Sequence, residues 1–230
     1  KEGTLEGKEV YYHAFAGQKN MQGVNSTFLI TLSPGENAQC IATGKGFVAV
    51  ATSRNFLRVY SSTGMPVDVI CLRGPVVSLL AHDSKLAVIT HCATDTENMS
   101  YRMESLVFDV NWQVGCQMRV ECEACLLPLS PGSSLFWAGF DADMHTLTVL
   151  DSHGMMCNLS RVSMNSWRWQ PVLDINEAKS SPEHVYWPVM IKQSKLVYVL
   201  LNGESKPAVY PQPVVSVTPL RVPIVLDGDS

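Results

Sequence analysis

Period-two alternation of apolar and polar residues, together with runs of β-branched or aromatic residues, dominates this 230-residue chain. Successive side chains of a β-strand point to opposite faces, so the period indicates strands with one buried face. The candidate strands are Thr27–Leu32, Gln39–Thr43, Phe47–Thr52, Phe56–Ser61, Val67–Leu72, Val76–Ala81, Lys85–His91, Ser105–Val110, Leu135–Phe140, Thr146–Leu150, Met155–Leu159, Trp167–Leu173, Val185–Ile191 and Leu196–Leu201. Turn-forming sequences separate them, and no segment keeps a helical period over three turns. The chain is therefore predicted to be all-β.

One kind of strand recurs at intervals of roughly 40–50 residues, the repeat length of a four-stranded propeller blade. It begins near Asn55, Glu104, Thr146 and Leu196. A blade cannot bury its faces alone, so neighbouring blades stack around a channel. The stretches before Gln39 and after Glu204 are predicted to complete a blade that joins the two ends. Five or six blades are expected, and a large β-sandwich with evenly spaced strands is the alternative.

Two polar stretches, Thr94–Met103 and Asn176–Glu183, are predicted to be loops. The tail Lys206–Pro223 is rich in proline, which favours edge strands or an extended path. We expect residues 1–9 to be a tail, residues 10–226 to form the propeller and residues 227–230 to begin a linker.

The composition excludes several classes of protein. Hydrophobic residues make up 46% and charged residues 17% of the chain, which excludes disorder as a global description. No apolar run approaches the roughly 18 residues of a membrane-spanning helix. The net charge is −4 and the basic residues are scattered, so any contact with DNA is expected to be local and weak.

The seven cysteines are an odd number, which excludes a fully paired disulfide framework. Cys122 and Cys125 form a C-x-x-C motif with Cys116 upstream. Structural zinc sites need four ligands, usually in two pairs, and the second pair is missing. Plain reduced thiols are the favoured interpretation; zinc binding completed by a distant histidine, or a redox pair, is the alternative.

The remaining motifs favour turns over chemistry. Gly44-Lys-Gly46 resembles a dinucleotide-binding loop, but a strand-like sequence follows where that fold needs a helix. The pairs Asp141/Asp143 and Asp227/Asp229 are followed by no calcium-loop pattern. The histidines have no metal-ligand spacing and are interpreted as solvent-facing residues of turns; they are His13, His82, His91, His145, His153 and His184. No nucleophile elbow for a catalytic serine is present. We therefore nominate no catalytic, metal or cofactor-binding residue, and the partner-binding residues stay unknown.

Two other features have a structural and a functional interpretation. Packing between blades is favoured for the five tryptophans, and a partner groove at one or more is the alternative. They are Trp112, Trp137, Trp167, Trp169 and Trp187. Three glycosylation sequons, at Asn25, Asn98 and Asn158, are short enough to arise by chance.

Several segments together resemble the SepB-type propeller of the replisome hub family, known as chromosome transmission fidelity protein four or as the WD-repeat and HMG-box DNA-binding protein. They are Gly44–Ser53, Leu57–Tyr60 with Gly64, Leu72–His82, Leu86–Ile89 with His91, Trp137–Phe140, Asp151–Gly154, Asn165–Trp167, His184–Trp187 with Val189, and Tyr210–Val214. Each block is modest alone, but their order along the chain is specific.

The resemblance implies a six-bladed, WD40-like β-propeller that forms a homotrimer. It implies a nuclear, non-enzymatic hub without cofactors, which couples the replicative helicase, through GINS-type subunits, to DNA polymerase alpha and other clients. The family's helical bundle, where its best-known client peptides dock, is not expected within these 230 residues, so no client-binding residue is carried over. A generic WD-like interaction adaptor outside replication is the alternative.

Overall fold

The fold is described from a computed structural model, which covers residues 7–13, 27–95, 100–111, 117–163 and 166–223. The chain divides into two compact units, Lys1–Leu126 and Leu127–Ser230. Almost every regular element in the described ranges is a β-strand, and neighbouring strands pair antiparallel. The all-β prediction is therefore confirmed.

The first unit contains one two-stranded and two four-stranded sheets. The two-stranded sheet comprises β1 (Glu9–His13) and β2 (Thr27–Thr31). One meander comprises β3 (Ala38–Gly44), β4 (Phe47–Thr52), β5 (Phe56–Ser61) and β6 (Pro66–Cys71); the next comprises β7 (Val76–His82), β8 (Lys85–Asp95), β9 (Ser100–Asn111) and β10 (Gln117–Leu126). In each meander sequential strands are neighbours, as in propeller blades.

The second unit contains one four-stranded and one three-stranded sheet. The first comprises β11 (Leu135–Phe140), β12 (Leu147–Asp151), β13 (Met155–Ser163) and β14 (Ser166–Asp174). A short helix, α1 (Ile175–Ala178), leads to β15 (His184–Lys192), β16 (Lys195–Asn202) and β17 (Val215–Pro219). These meanders are consistent with WD40-like blades, while the six-bladed closed ring and the boundaries at residues 10 and 226 stay predictions.

Apolar packing between sheet faces forms the cores. In the first unit, Phe47 and Leu57 of one meander join Leu86 and Phe108 of the next in a single buried cluster. Full burial of one such side chain contributes about 1.5–3 kcal/mol. Strand β4 is buried along its whole length, because its other face packs under the sheet of β1 and β2. The second unit has its own core, which includes Leu150, Met156, Leu173, Ile191 and Leu196.

Both loop predictions were partly wrong. The stretch Thr94–Met103 contains the end of β8 and the start of β9, which pair with each other. Pairing of backbones needs no apolar side chains, so the polar composition did not indicate these strand ends. The stretch Asn176–Glu183 begins inside α1, since the Asp174 carboxylate accepts a hydrogen bond from the Asn176 N–H at 2.8 Å and caps the helix. The remainder of that stretch has no regular structure.

The repeat was also assigned to the wrong strands. Asn55 directly precedes β5 and Glu104 lies in β9, and these are the third strands of their sheets. Thr146 directly precedes β12 and Leu196 lies in β16, and these are second strands. Alternation shows that a segment is a strand, but not its position within a blade. The two ends were expected to share a blade. Among the described strands, β1 pairs with β2 and β17 pairs with β16, so the shared blade stays a prediction.

A Ser-Pro-Gly turn introduces the meander that begins with β3. The Glu36 N–H donates to the Ser33 carbonyl at 3.0 Å, and Gly35 has a φ of +76°, which glycine adopts without strain. The next residue, Asn37, is fastened to Ser53 at the end of β4. The Asn37 N–H donates to Ser53 Oγ at 3.0 Å, and the Ser53 N–H donates to the Asn37 carbonyl at 2.8 Å.

The same device introduces the meander that begins with β11. The Ser133 N–H donates to the Ser130 carbonyl at 2.9 Å across Gly132, whose φ is +74°. The Ser134 N–H then donates to Ser152 Oγ at 3.0 Å, and the Ser152 N–H returns a bond to the Ser134 carbonyl at 2.8 Å. The repetition of a turn and its serine clasp supports the interpretation of both meanders as equivalent repeats.

Gly74→Ala is expected to destabilise the fold, because a Cβ at this position would overlap the backbone carbonyl oxygen of His91. Overpacking against backbone costs about 1–3 kcal/mol. Gly7→Ala is the control, since its Cβ would lie at an ordinary 3.4 Å from the Ala38 carbonyl oxygen. Chemical denaturation of the two variants measures the difference, and equal stabilities would contradict this packing.

Candidate functional site

The Gly44-Lys-Gly46 motif forms a tight turn and not a phosphate-binding loop. Gly44 ends β3 and pairs with Phe47, the first residue of β4. Gly46 has a φ of +82° in the turn between them. A dinucleotide site needs a helix N-terminus directly after the glycines, and a strand occupies that position. The β-turn interpretation is confirmed.

The C-x-x-C motif lies on β10, where Cys122 and Cys125 are both free thiols. Cys122 is paired with Val107 and Cys125 with Ser105, with a register shift between them. Burial is the main cause that raises the pKa of Cys122 to about 11, and the nearby Cys125 thiol and two carboxylates add to it. A thiol held protonated at neutral pH is a poor nucleophile and metal ligand. Cys116 lies outside the described residues.

The aspartate pair Asp141/Asp143 builds a turn, as the sequence predicts. Asp141 is buried, and its Oδ1 accepts hydrogen bonds from the N–H groups of Asp143 at 2.8 Å and Met144 at 2.9 Å. Asp143 Oδ2 accepts one from the N–H of Gln193 in the turn between β15 and β16. Within the described ranges, no three His, Cys, Asp or Glu side chains converge to hold a metal ion. The pair at 227 and 229 lies outside those ranges.

Four of the five tryptophans singled out in the sequence lie on strands. Trp137 packs against the core of the second unit, and Trp187 makes an edge-to-face contact with Phe136, with centroids 6.0 Å apart. Trp167 and Trp169 share one face of β14, as their spacing predicts. The Arg161 guanidinium lies 5.8 Å from the centroid of the Trp167 ring. Trp112 lies outside the described ranges.

The histidines occupy more varied positions than the solvent-facing turns that the sequence predicts. His82 ends β7 and His91 lies within β8, and both are half-buried. His145 and His153 lie in turns, although His145 is also half-buried. Of the sequons, Asn158 lies within β13 with its Oδ1 buried, which does not suit a glycan acceptor. The other two sequons begin outside the described residues.

A buried ion pair fastens the start of the first meander. The carboxylate of Glu36 is fully buried and accepts two hydrogen bonds from Arg58 on β5, Nε to Oε1 at 2.8 Å and Nη2 to Oε2 at 2.7 Å. The hydrogen bonds from Arg58 are the main cause that lowers the pKa of Glu36, and they outweigh the effect of burial. The same contact raises the pKa of Arg58. Paired Arg–carboxylate bonds of this kind are strong and geometrically specific.

A buried aspartate has the corresponding role in the meander that begins with β11. Asp151 Oδ2 accepts hydrogen bonds from the Ser130 N–H at 3.0 Å and from Ser133 Oγ at 3.2 Å. Its Oδ1 accepts from the N–H groups of His153 at 3.0 Å and Met155 at 2.9 Å. Burial raises the pKa of Asp151, but these hydrogen bonds outweigh it and the net shift is downward.

Neither polar contact was predicted from the sequence. Glu36 follows a turn and Arg58 interrupts an apolar strand, so each looks like an ordinary exposed residue when it is considered alone. The one available signal was that Arg58 occupies a strand position between the apolar residues Leu57 and Val59. Both contacts hold the ends of strands in place, and neither presents a reactive group to solvent.

The most exposed apolar residues of the second unit lie on the connection between β16 and β17, residues 203–214. Most hairpin connections have about two to five residues, and longer ones are often functional. Val209 is 98% exposed and Tyr210 is 91% exposed. Beneath the connection lies a shallow pocket of about 480 Å³, lined by Leu200 and Leu201 of β16 and by Pro207, Pro211, Pro213 and Val214 of the connection, among others. The lining is largely apolar, with Glu204, Gln212 and Ser216 as its polar members.

Comparison with protein families gives one match that spans nearly the whole chain. The family model described as "Minichromosome loss protein, Mcl1, middle region" matches residues 2–224. The chain belongs to this family. The match includes both units and every described strand, so the ordered sequence blocks and the family model agree.

Two curated relatives are similar to this member of the Mcl1 middle-region family. "Protein ENHANCER OF LHP1 1" of Arabidopsis thaliana is 32% identical over 83% of this chain. "WD repeat and HMG-box DNA-binding protein 1" of Xenopus laevis is 30% identical over 85%. The chain spans only 19% and 17% of the lengths of these relatives. The activity and partners of these longer proteins therefore apply to this chain only as a proposal.

Among solved structures, "Crystal structure of HIRA(644-1017)" is similar to this chain. The TM-score is 0.44 with 18% sequence identity, over 66% of this chain and 43% of that one. Within the described residues, no helix is long and apolar enough to cross a membrane.

Glu36→Gln is expected to destabilise the fold at pH 7 by about 3 kcal/mol, the lower end for a broken buried pair, because Arg58 is one-fifth exposed. The stabilisation from ionised Glu36 is complete above its unfolded pKa of about 4.3 and is lost as the pH falls through the lowered folded pKa. The variant is therefore expected to lose less stability than the native chain between pH 5 and pH 3.

Urea denaturation across that pH range measures both effects. Glu183→Gln is the control, since Glu183 is exposed and its replacement is expected to change stability by less than about 0.5 kcal/mol. Identical pH dependence in the native chain and Glu36→Gln would contradict the stabilising role of the ion pair.

Proposed function

We propose that this chain is a non-enzymatic scaffold module of the DNA replication machinery, located in the nucleus. The observation that carries the proposal is the family match over residues 2–224. One relative's name includes WD repeats, an HMG box and DNA binding, and another relative is named "Minichromosome loss protein 1". These names fit a chromosome-associated protein.

The proposed architecture is a single six-bladed propeller that assembles into a homotrimer. Meanders of sequential antiparallel strands in both units support the blades. The low charged fraction of 17% supports burial of some surface against a partner. Closed rotational symmetry is the usual arrangement of identical subunits. Three copies around one axis would raise the effective concentration of each client bound to the assembly.

The proposed clients are GINS-type subunits of the replicative helicase and subunits of DNA polymerase alpha. In this proposal the clients bind a helical region beyond these 230 residues, and the propeller supplies the multivalency. The buried, hydrogen-bonded carboxylates of Glu36 and Asp151 support a structural and non-catalytic use of the polar groups. Direct contact with DNA would be weak, given a net charge of −4.

Light scattering of the chain at micromolar concentration is expected to give three times the 25.3 kDa mass of one copy. The physical reason is that a symmetric interface closes at a fixed number of subunits. Dilution over two orders of magnitude provides the control for nonspecific association, since aggregates do not hold one stoichiometry. A strict monomer over that range would contradict the trimer.

Affinity purification of the full-length protein from dividing cells is expected to recover helicase and DNA polymerase alpha subunits. A deletion variant of that protein, which lacks residues 7–223, is the matched comparison. It is expected to recover less of each client because multivalency is lost. Recovery of vesicle-traffic or ubiquitin-ligation proteins in place of replication proteins would contradict the replication role and favour a generic adaptor.

A further inference from the structure

The connection between β16 and β17 begins with the only Asn-Gly pair in the sequence, Asn202-Gly203. Asn202 is the last residue of β16, and both residues are exposed. The side-chain amide carbon of an asparagine lies within reach of the backbone nitrogen of the next residue, which can attack it. Glycine hinders this attack least, because it has no Cβ. The pair therefore places an electrophile beside an unhindered nucleophile.

The structure restrains this end of β16 weakly. Pairing with β17 extends only as far as Val199 and Val215, so Asn202 is paired on one side alone, with His184 of β15. Strand ends of this kind open at a low cost in free energy. Within the described ranges, no hydrogen bond holds the Asn202 side chain or the Gly203 N–H. A Cβ built on Gly203 would meet no atom within 4 Å, so the space around the attacking nitrogen is open.

Other asparagines in the described ranges are held more firmly. Asn176 is also exposed, but its Nδ2 donates a hydrogen bond to the His153 carbonyl, and its Oδ1 accepts one from Lys179 Nζ at 3.2 Å. It also lies within α1, where a helical backbone fixes the nitrogen of the following residue. Asn158 lies inside β13 with its Oδ1 buried. The geometry for attack on the side-chain amide is therefore better at Asn202 than at these two residues.

We propose that Asn202 is a site of spontaneous deamidation and isoaspartate formation. The Gly203 nitrogen gives up its proton and forms a bond to Asn202 Cγ. The bond between Cγ and Nδ2 breaks, and Nδ2 leaves as ammonia with the proton that Gly203 gave up. The product is a five-membered succinimide ring. Water then opens the ring at either of its two carbonyl carbons, which gives aspartate or isoaspartate. One water is consumed, one ammonia is released and no oxidant is needed.

Both products change the surface at the start of the 203–214 connection. Each adds a negative charge next to Glu204, which lines the pocket beneath that connection. Isoaspartate also adds one methylene to the main chain, which is expected to disrupt the pairing of Asn202 with His184. Its free α-carboxylate is the group that an isoaspartate-specific carboxyl methyltransferase esterifies with S-adenosylmethionine. The modified chain is therefore a substrate for this class of enzyme, whatever the outcome for the proposed scaffold role.

The test incubates the full chain at physiological temperature and mildly alkaline pH, followed by digestion at acidic pH and mass spectrometry of the peptides. The mass change from amide to acid is expected to accumulate at Asn202 at least tenfold faster than at Asn176, the control within the same chain. The rate at Asn202 is expected to rise with pH, because the attacking nitrogen must lose its proton. The methyltransferase and radiolabelled S-adenosylmethionine are expected to label the same peptide.

Two variants test the mechanism. Asn202→Gln lengthens the side chain so that attack would need a six-membered ring, and this peptide is expected to gain no methyl label. Gly203→Ala adds a Cβ beside the attacking nitrogen and is expected to slow the reaction at least tenfold. The comparison of Asn202 with Asn176 in the native chain does not depend on the folding of either variant. Equal rates at these two asparagines, an unchanged rate in Gly203→Ala, or deamidation without methyl labelling would overturn the inference.

Discussion

Packing of apolar sheet faces against one another is the interaction on which the rest of the structure depends. A single meander cannot bury its own apolar side chains. The shared cluster around Phe47 and Phe108 shows that two meanders bury these side chains against each other. Burial of a charged group within this arrangement is costly unless the group is paired, as Glu36 is with Arg58. The cores thus determine where polar residues can be tolerated, and the chemistry of those residues is used to hold strands in place.

Much of the local structure was predictable from the sequence because its causes are local. Alternation of apolar residues indicated the strands, and the Gly44-Lys-Gly46 turn followed from the strand-like sequence after it. The ordered blocks also indicated the family that the later comparison established. In each case the informative residues lie within a few positions of one another, where rules of backbone geometry and side-chain direction apply directly.

The features that the sequence did not reveal depend on contacts between residues that are distant along the chain. The position of a strand within its sheet was misjudged at Thr146 and Leu196, because alternation is the same in every strand of a blade. The pair of Glu36 and Arg58 has no local signature, since each residue alone is compatible with an exposed site.

The repeated Ser-Pro-Gly turn with its serine clasp bears on how such a chain can evolve. Two meanders of different length, one with the short strand β5 and one with the longer strand β13, begin in the same way. This arrangement is the trace expected of an ancestral unit that was duplicated and then diverged. Repeated turns of this kind leave the remainder of each meander open to insertion, so that new surfaces can arise without loss of the common framework.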